Sequence, residues 1–446
     1  MTKGILLLSI LPPFWPKMPP LGILYLKEYL NSKGVTADIL DLNNFFYNLA
    51  GMNNHSPLLQ KSWTVSCNTF LEKNVLSIIK TNFPGDFNDC VNKILEYDMA
   101  GFSCFKSNYK TTIEVIKILK SRKSGIKIVL GGPEIARQYF KTDGKFNDEI
   151  LNLADLLIAG EGEKPLYDFI AGVNNHPPLP TRNNVSKFIQ LEDLKCLPFP
   201  RFNGIGLKSY PKNNAVPVLF SRGCARKCNF CSERLLYKGF RSRPVGNVIN
   251  EIKFHSQNGI KYFVFFDSML NADLKKFEGL LDAVISNFGN ILWEAQIAVR
   301  NDMDMRIFEK MKKSGCYNLF IGLESGSDKT LKNMNKGFTS KGAEEFFRKL
   351  KEAGLFFGIS LITGYPGETE EDFKESLDFV IKNKNLIPKI EQINPFTYYD
   401  GTNTDKKADY KLNKESMRRM EIFVEEIKKH NFKYINAFLG NLVEKI

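Results

Sequence analysis

Short apolar runs alternate with stretches of helical period along most of this chain. In the first 172 residues the runs are Ile5–Ile10, Ala37–Leu42, Met99–Ser103, Lys127–Leu130 and Leu156–Ala159. Runs this short, closed by glycine or polar residues, predict buried strands of a parallel sheet. Between the first two, Leu21, Leu24, Tyr25 and Tyr29 fall at helical spacing and Gly34 stops the helix. The alternation predicts an α/β domain over 1–172. Residues 44–96 are long for a connection and predict a helical insertion covering a cofactor or substrate, with Asn53-Asn54-His55-Ser56 as its unusual tract.

Residues 173–215 are rich in proline and asparagine and predict a linker. From Val216 the strand-then-helix pattern repeats. Strands are expected at Val218–Ser221, Tyr262–Phe266, Leu292–Ala298, Leu319–Leu323, Gly358–Ile362 and Ile390–Pro395. Helices are expected at Gly246–Gln257, Ala272–Asn287, Met303–Lys313, Lys341–Ala353 and Glu370–Asn383. Six such units predict a partial (β/α)6 barrel over 216–400, with active residues in the loops at the strands' carboxyl ends. The extension 401–446 carries one amphipathic helix, with Met417, Met420, Phe423, Val424 and Ile427 on a face.

Composition narrows the picture. The chain has 446 residues, 43% apolar and 12% aromatic, which gives ample core for two or three globular domains. The longest apolar runs, such as Ile5-Leu6-Leu7-Leu8, are far too short for a membrane span. The N-terminus, with one lysine, a short apolar run and then Pro12-Pro13, predicts a first strand and not a signal peptide. Five scattered cysteines (Cys67, Cys90, Cys104, Cys196, Cys316) predict a reducing cytoplasm without a disulfide framework. The net charge of +13 raises nucleic acid as a partner, but its surplus gathers around one cysteine-rich stretch, and an anionic cofactor accounts for part of it.

That stretch is Ser221-Arg222-Gly223-Cys224-Ala225-Arg226-Lys227-Cys228-Asn229-Phe230-Cys231, with cysteines spaced C-x3-C-x2-C. Thiolates this close repel one another unless a metal neutralises them. Structural zinc wants four ligands, and no further Cys or His comes before His255. A [4Fe–4S] cluster can be held by three thiolates with one iron open. Arg222, Arg226, Lys227, Arg234, Lys238, Arg241 and Arg243 face only Glu233 here. A distorted zinc knuckle or a chance cluster is the alternative.

The spacing, with Phe230 just before the third cysteine, resembles the signature of radical S-adenosylmethionine (SAM) enzymes. In that family the open iron chelates the amino and carboxylate groups of SAM, and one electron splits SAM into methionine and a 5′-deoxyadenosyl radical. The resemblance implies Cys224, Cys228 and Cys231 as cluster ligands and Phe230 beside the adenine. Ala225 stands where the subfamily usually has proline. Phe265-Phe266-Asp267-Ser268 falls where the family binds the SAM amino group, implying Asp267 and Ser268. Gly322-Leu323-Glu324-Ser325-Gly326 matches G-x-E-S-G, implying Glu324 and Ser325 at the ribose and amino-acid portion. Lys336 matches a basic partner of the SAM carboxylate, and Gly364, in Gly364-Tyr365-Pro366-Gly367-Glu368-Thr369, an adenine contact. Glu294 and Gln296 on the third barrel strand, and Arg300 just past it, are substrate candidates. Asn394–Thr402 lies where the family has a proline–glycine–threonine turn, with Asp400 replacing the proline.

The first domain resembles the cobalamin-binding domain that precedes this barrel in one large subfamily, a Rossmann-like (flavodoxin-like) fold. The resemblance rests on Pro19-Pro20-Leu21-Gly22 after the first strand, Gly131-Gly132-Pro133 after the fourth and Gly160-Glu161-Gly162-Glu163 after the fifth. It implies cobalamin contacts at Pro20, Leu21, Gly22, Ser103, Lys106, Gly131, Gly132, Pro133, Gly160, Glu161 and Gly162. The D-x-H-x-x-G of histidine-ligated cobalamin proteins is missing from Pro12–Gly22, which implies cobalamin without a protein imidazole on cobalt, or a domain that has lost the vitamin. Together the resemblances imply a methyltransferase. SAM methylates cob(I)alamin, a second SAM supplies the radical, and an unactivated carbon or phosphorus of a small-molecule or peptide substrate takes the methyl group. An external flavodoxin- or ferredoxin-like donor would supply electrons. A ring-forming or rearranging enzyme of the same architecture is the alternative, and a non-enzymatic corrinoid or redox sensor is disfavoured by the SAM-contacting motifs.

Overall fold

A computed structural model describes residues 4–9, 17–52, 69–172, 185–186, 188–202, 205–212, 214–399, 401–404 and 414–434. The chain divides into two compact units, Met1–Asn214 and Ala215–Ile446.

The first unit is built on five parallel strands: β1 (Ile5–Ser9), β2 (Ala37–Asp41), β3 (Met99–Ser103), β4 (Lys127–Gly131) and β5 (Leu156–Leu157). Their order is β2-β1-β3-β4-β5, the flavodoxin-like doubly wound order, which reverses between β1 and β3. The inner strands β1, β3 and β4 are mostly apolar because both faces are covered. Ile5 and Leu7 join one apolar cluster with Val129, while Leu6 and Leu8 join another with Ile128 and Leu130. β5 stops at Leu157, before the expected Ala159. There Val185 pairs with Leu157, and the Ser186 hydroxyl accepts the N–H of Ala159.

The insertion is helical where it is described, as expected. Its described helices, Leu42–Met52, Thr69–Asn82 and Pro84–Leu95, bury Phe46, Leu76, Ile79, Phe87, Val91 and Ile94 in the cluster under the sheet. They are core. The Asn53–Ser56 tract with His55 lies outside the described residues. Much of the expected linker is also packed. Leu191, Leu194, Leu197 and Tyr210 are buried, and the Tyr210 hydroxyl donates to Asp41 at 2.8 Å.

In the second unit β6 (Ala215–Val218) leads to a short ribbon, β7 (Ser221–Arg222) with β8 (Arg241–Ser242). Then come β9 (Tyr262–Phe265), β10 (Leu292–Ile297), β11 (Cys316–Glu324), β12 (Phe357–Thr363) and β13 (Lys389–Pro395). The six-stranded sheet runs β13-β12-β11-β10-β9-β6, every neighbour parallel. Helices between successive strands make it an open (β/α)6 barrel, as the alternation of apolar runs predicted. Along β10, Trp293, Ala295 and Ile297 are buried, whereas Glu294 and Gln296 share the less covered face. The first strand ends three residues earlier than expected, since Ser221 pairs across the ribbon instead. Among the described residues, no helix is long and apolar enough to cross a membrane.

Candidate active site

The cysteine loop, 223–240, leaves the barrel after β6 and is gripped at its neck. Ser221 and Arg222 pair antiparallel with Ser242 and Arg241. Asp267, 2% exposed at the end of β9, accepts the N–H groups of Phe220 (3.1 Å) and Ser221 (2.5 Å), and the Ser221 hydroxyl as well. Burial pushes the Asp267 carboxyl up to about 6. Below it the fully buried Arg243–Glu251 pair closes at 2.5 Å, and Arg243 also donates to the carbonyl of Leu219.

Cys224, Cys228 and Cys231 are half-buried on this loop. Burial pushes the Cys231 thiol up to about 11, and Glu233 and the other two thiols add to the rise. Among the described residues, no three His, Cys, Asp or Glu side chains are gathered closely enough to hold a metal ion unaided. The donor set nevertheless suits an iron–sulfur cluster. Three sulfurs on one short loop lie within electrostatic reach of one another, and the N–H of Arg226 points at the Cys224 sulfur at 3.4 Å.

The end of β11 supplies the second part. A bulge between Gly322 and Glu324 turns Glu324 to φ 73°, a left-handed conformation that costs a side-chain-bearing residue about 1–2 kcal/mol. Its Oε1 meets Lys336 Nζ at 3.3 Å, and its Oε2 accepts the Ser360 hydroxyl at 3.0 Å. Lys336 Nζ also lies 5.7 Å from the centres of the Phe230 and Phe338 rings. Phe230 stands edge-on to Tyr365, and Tyr365 to Phe396. The two segments are stitched further by backbone contacts. Asn229 donates through its N–H to the carbonyl of Met334 and through its amide to that of Asn333, and Asn335 donates to Lys227. Cysteine loop, Phe230, Glu324 and Lys336 thus form one site.

Several expected SAM contacts have other partners. Asp267 spends both oxygens on the neck of the cysteine loop. Ser268 donates to Glu233. Ser325, 1% exposed, is bonded to Ser376 and accepts the N–H of Ser327, so it anchors the helix Glu370–Lys382. Gly364 gives its N–H to Glu368, and a Cβ there would meet Ser416 Oγ at 1.9 Å, so its bareness admits the terminal helix Lys414–Lys429. Arg300, a substrate candidate, is bound to both oxygens of Asp302 and to the carbonyls of Asn271 and Ala272. Glu294 accepts the Tyr317 hydroxyl at 2.8 Å, whereas Gln296 is exposed. Ser360 and Ser376 carried no motif and were legible only through their contacts.

In the first unit the fifth-strand motif closes on the chain itself. A Cβ on Gly160 would lie 2.1 Å from the carbonyl oxygen of Ile189, one on Gly162 would lie 2.9 Å from Leu26, and Glu161, 6% exposed, accepts the N–H of Leu191. Gly160, Glu161 and Gly162 thus all have close partners within the chain. Gly22 has nothing within 4 Å of a built Cβ and is exposed, like Lys106. Pro20 precedes the helix Leu21–Ser32, and Pro133 opens the helix Pro133–Thr142. Ser103 pairs with Gly131 across the carboxyl ends of β3 and β4, and Gly132 adopts φ 99° beside Cys104.

Residues 218–380 match the family model of the radical SAM superfamily. The barrel is a radical SAM domain. An uncharacterized methyltransferase of Pyrococcus horikoshii is 27% identical over 347 residues, 71% of either chain. Among solved structures, TsrM of Kitasatospora setae, a radical SAM methyltransferase with cobalamin and a [4Fe–4S] cluster bound, matches with a TM-score of 0.67 at 15% identity, covering 91% of this chain and 77% of that one. OxsB, a cobalamin-dependent SAM radical enzyme, matches with a TM-score of 0.63 at 16% identity, over 96% of this chain and 56% of its own. At such identities the likeness is one of fold. It extends beyond the radical SAM domain to the doubly wound sheet before it.

Proposed function

We propose that this chain is a cobalamin-dependent radical SAM methyltransferase acting on an unactivated carbon or phosphorus of a small molecule or peptide. The observation that carries the reading is one chain holding both a three-thiol loop at the mouth of an open barrel and a doubly wound 2-1-3-4-5 sheet. Cys224, Cys228 and Cys231 would hold the cluster. Glu324 and Lys336, buried and paired, would meet the polar end of SAM, with Phe230 beside them. Ser103, Gly131 and Gly132 lie at the strand ends where a doubly wound sheet takes its ligand, and Gly22 lies in the first turn of the helix that follows β1. When bound, cluster and SAM supply a radical, and cobalamin supplies the transferable methyl group. The protein's own share is placement: Asp267 and the ribbon fix the cysteine loop, and Lys336 ties that loop to Glu324. We infer a cytoplasmic enzyme served by a flavodoxin- or ferredoxin-like donor.

The test is anaerobic turnover with SAM, cobalamin and a strong reductant. Release of 5′-deoxyadenosine together with S-adenosylhomocysteine is expected. 5′-Deoxyadenosine alone would favour a ring-forming or rearranging enzyme, and neither product would end the reading.

A further inference from the structure

Arg226 lies between the first two cluster cysteines, where its charge alone suggests a counter-ion to the occupant of the loop. The structure gives it a different task. One terminal nitrogen donates to the carbonyls of Lys336 (2.9 Å) and Gly337 (3.2 Å), and the other donates to the carbonyl of Val299 (2.8 Å). Val299 lies just past β10, and Lys336 and Gly337 lie beyond β11. A single side chain on the cysteine loop therefore spans two other strand-end segments. Gly337 is matched to it. It adopts φ 70°, and a Cβ there would stand 2.1 Å from the nearer terminal nitrogen of Arg226. Any larger residue would push the guanidinium away.

We propose that Arg226 is a positioning residue, a latch that fixes the cysteine loop against the Lys336–Glu324 pair so that both grip one SAM molecule in register. The claim rests on the radical SAM reading above. A planar fork of several fixed donors can satisfy carbonyls on two segments at once. A lysine ammonium, a point charge on a flexible stem, can hold one segment but does not set the angle between two. Because one bonded carbonyl belongs to Lys336 itself, movement of the latch moves the residue whose Nζ meets Glu324 at 3.3 Å and overlies Phe230.

The experiment uses the full chain, reconstituted anaerobically, as wild type, Arg226→Ala, Arg226→Lys, Gly337→Ala and the double variant Arg226→Ala/Gly337→Ala. Three quantities are read: iron and sulfide per chain, SAM affinity by equilibrium dialysis, and the change SAM induces in the electron paramagnetic resonance spectrum of the reduced cluster. Arg226→Ala and Gly337→Ala are expected to keep the wild-type iron content, to bind SAM about tenfold more weakly, and to show a diminished SAM-induced spectral change. Arg226→Lys should fall between them and wild type. The double variant should bind SAM no more weakly than the worse single one, since both changes undo the same contact. Wild-type SAM affinity and spectral response in both single variants would overturn the latch. Loss of iron in every variant would make Arg226 a prop of the cluster loop alone and would equally overturn it. If the wild type itself takes up no cluster or SAM, the radical SAM reading fails and the latch falls with it.

Discussion

Glu324 is made useful by three neighbours that no sequence motif announces together. Lys336 offsets its charge, Ser360 orients its second oxygen, and Gly322 leaves the room it occupies, since a Cβ there would lie 2.3 Å from Glu324 Oε1. Gly322→Ala should therefore displace the carboxylate, leave iron content unchanged and weaken SAM binding about tenfold, as dialysis would show. Replacing Cys224, Cys228 or Cys231 by alanine should abolish iron uptake, whereas Cys316→Ala, a buried thiol on β11, should retain it. At this scale the cysteines, Phe230, Glu324 and Lys336 were legible because their spacing carries chemistry. Asp267, Ser325, Gly364 and Arg300 were legible as polar or glycine positions at strand ends, but their partners within the chain were not. Nothing in a sequence separates a carboxylate that meets a ligand from one that ties down a loop. Ser360 and Ser376, isolated serines, gave no signal.

Strands and helices were the most readable level. Burial on both faces writes a continuous apolar run, and the helices carry their own caps. Thr369 and Asp372 form a capping box at the start of the helix Glu370–Lys382, and Asp372 also accepts the Ser327 hydroxyl and pairs with Lys329 at 2.8 Å. Burial opposes the charge on Asp372, but these donors outweigh it and hold the carboxyl below its ordinary range. A depressed folded-state value means stabilisation that is present above about pH 4 and lost as pH falls further. Asp372→Asn should thus lower the melting temperature at pH 7 by about 2–4 °C, the shift for a cap worth about 1 kcal/mol, and the gap from wild type should close in acid. Thermal scans from pH 7 to pH 3 check both parts. The ribbon of β7 and β8 was not legible, because two residues a side give no period to detect. The insertion was legible as helical but not as core, since its apolar stripe does not say which surface it will meet.

Across the whole chain, two parallel sheets could be read from the rhythm of strands alone, down to an open barrel with helices between its strands. The order β2-β1-β3-β4-β5 could not, because sequence distance does not say which edge a strand joins. That order places the reversal between β1 and β3, beside Ser103 at the end of β3, and no histidine stands in the sequence from Pro12 to Gly22. An axial imidazole has to be aimed by a partner of its own. Bound cob(II)alamin should therefore show no nitrogen superhyperfine splitting from an axial base in its electron paramagnetic resonance spectrum. Such splitting would refute a nitrogen-free lower face.

The left-handed turn at Glu324 makes position 324 answer to two masters. Backbone geometry at φ 73° favours glycine or asparagine, whereas the contacts to Lys336 and Ser360 require a long carboxylate. A saturation library sorted for folded protein and the same library sorted for turnover should enrich different residues here. Few routes by single substitutions lead from one optimum to the other, because aspartate, which tolerates the turn, falls a methylene short of the lysine. Directed evolution of this barrel toward new substrates should find position 324 immovable even while neighbouring loop residues drift.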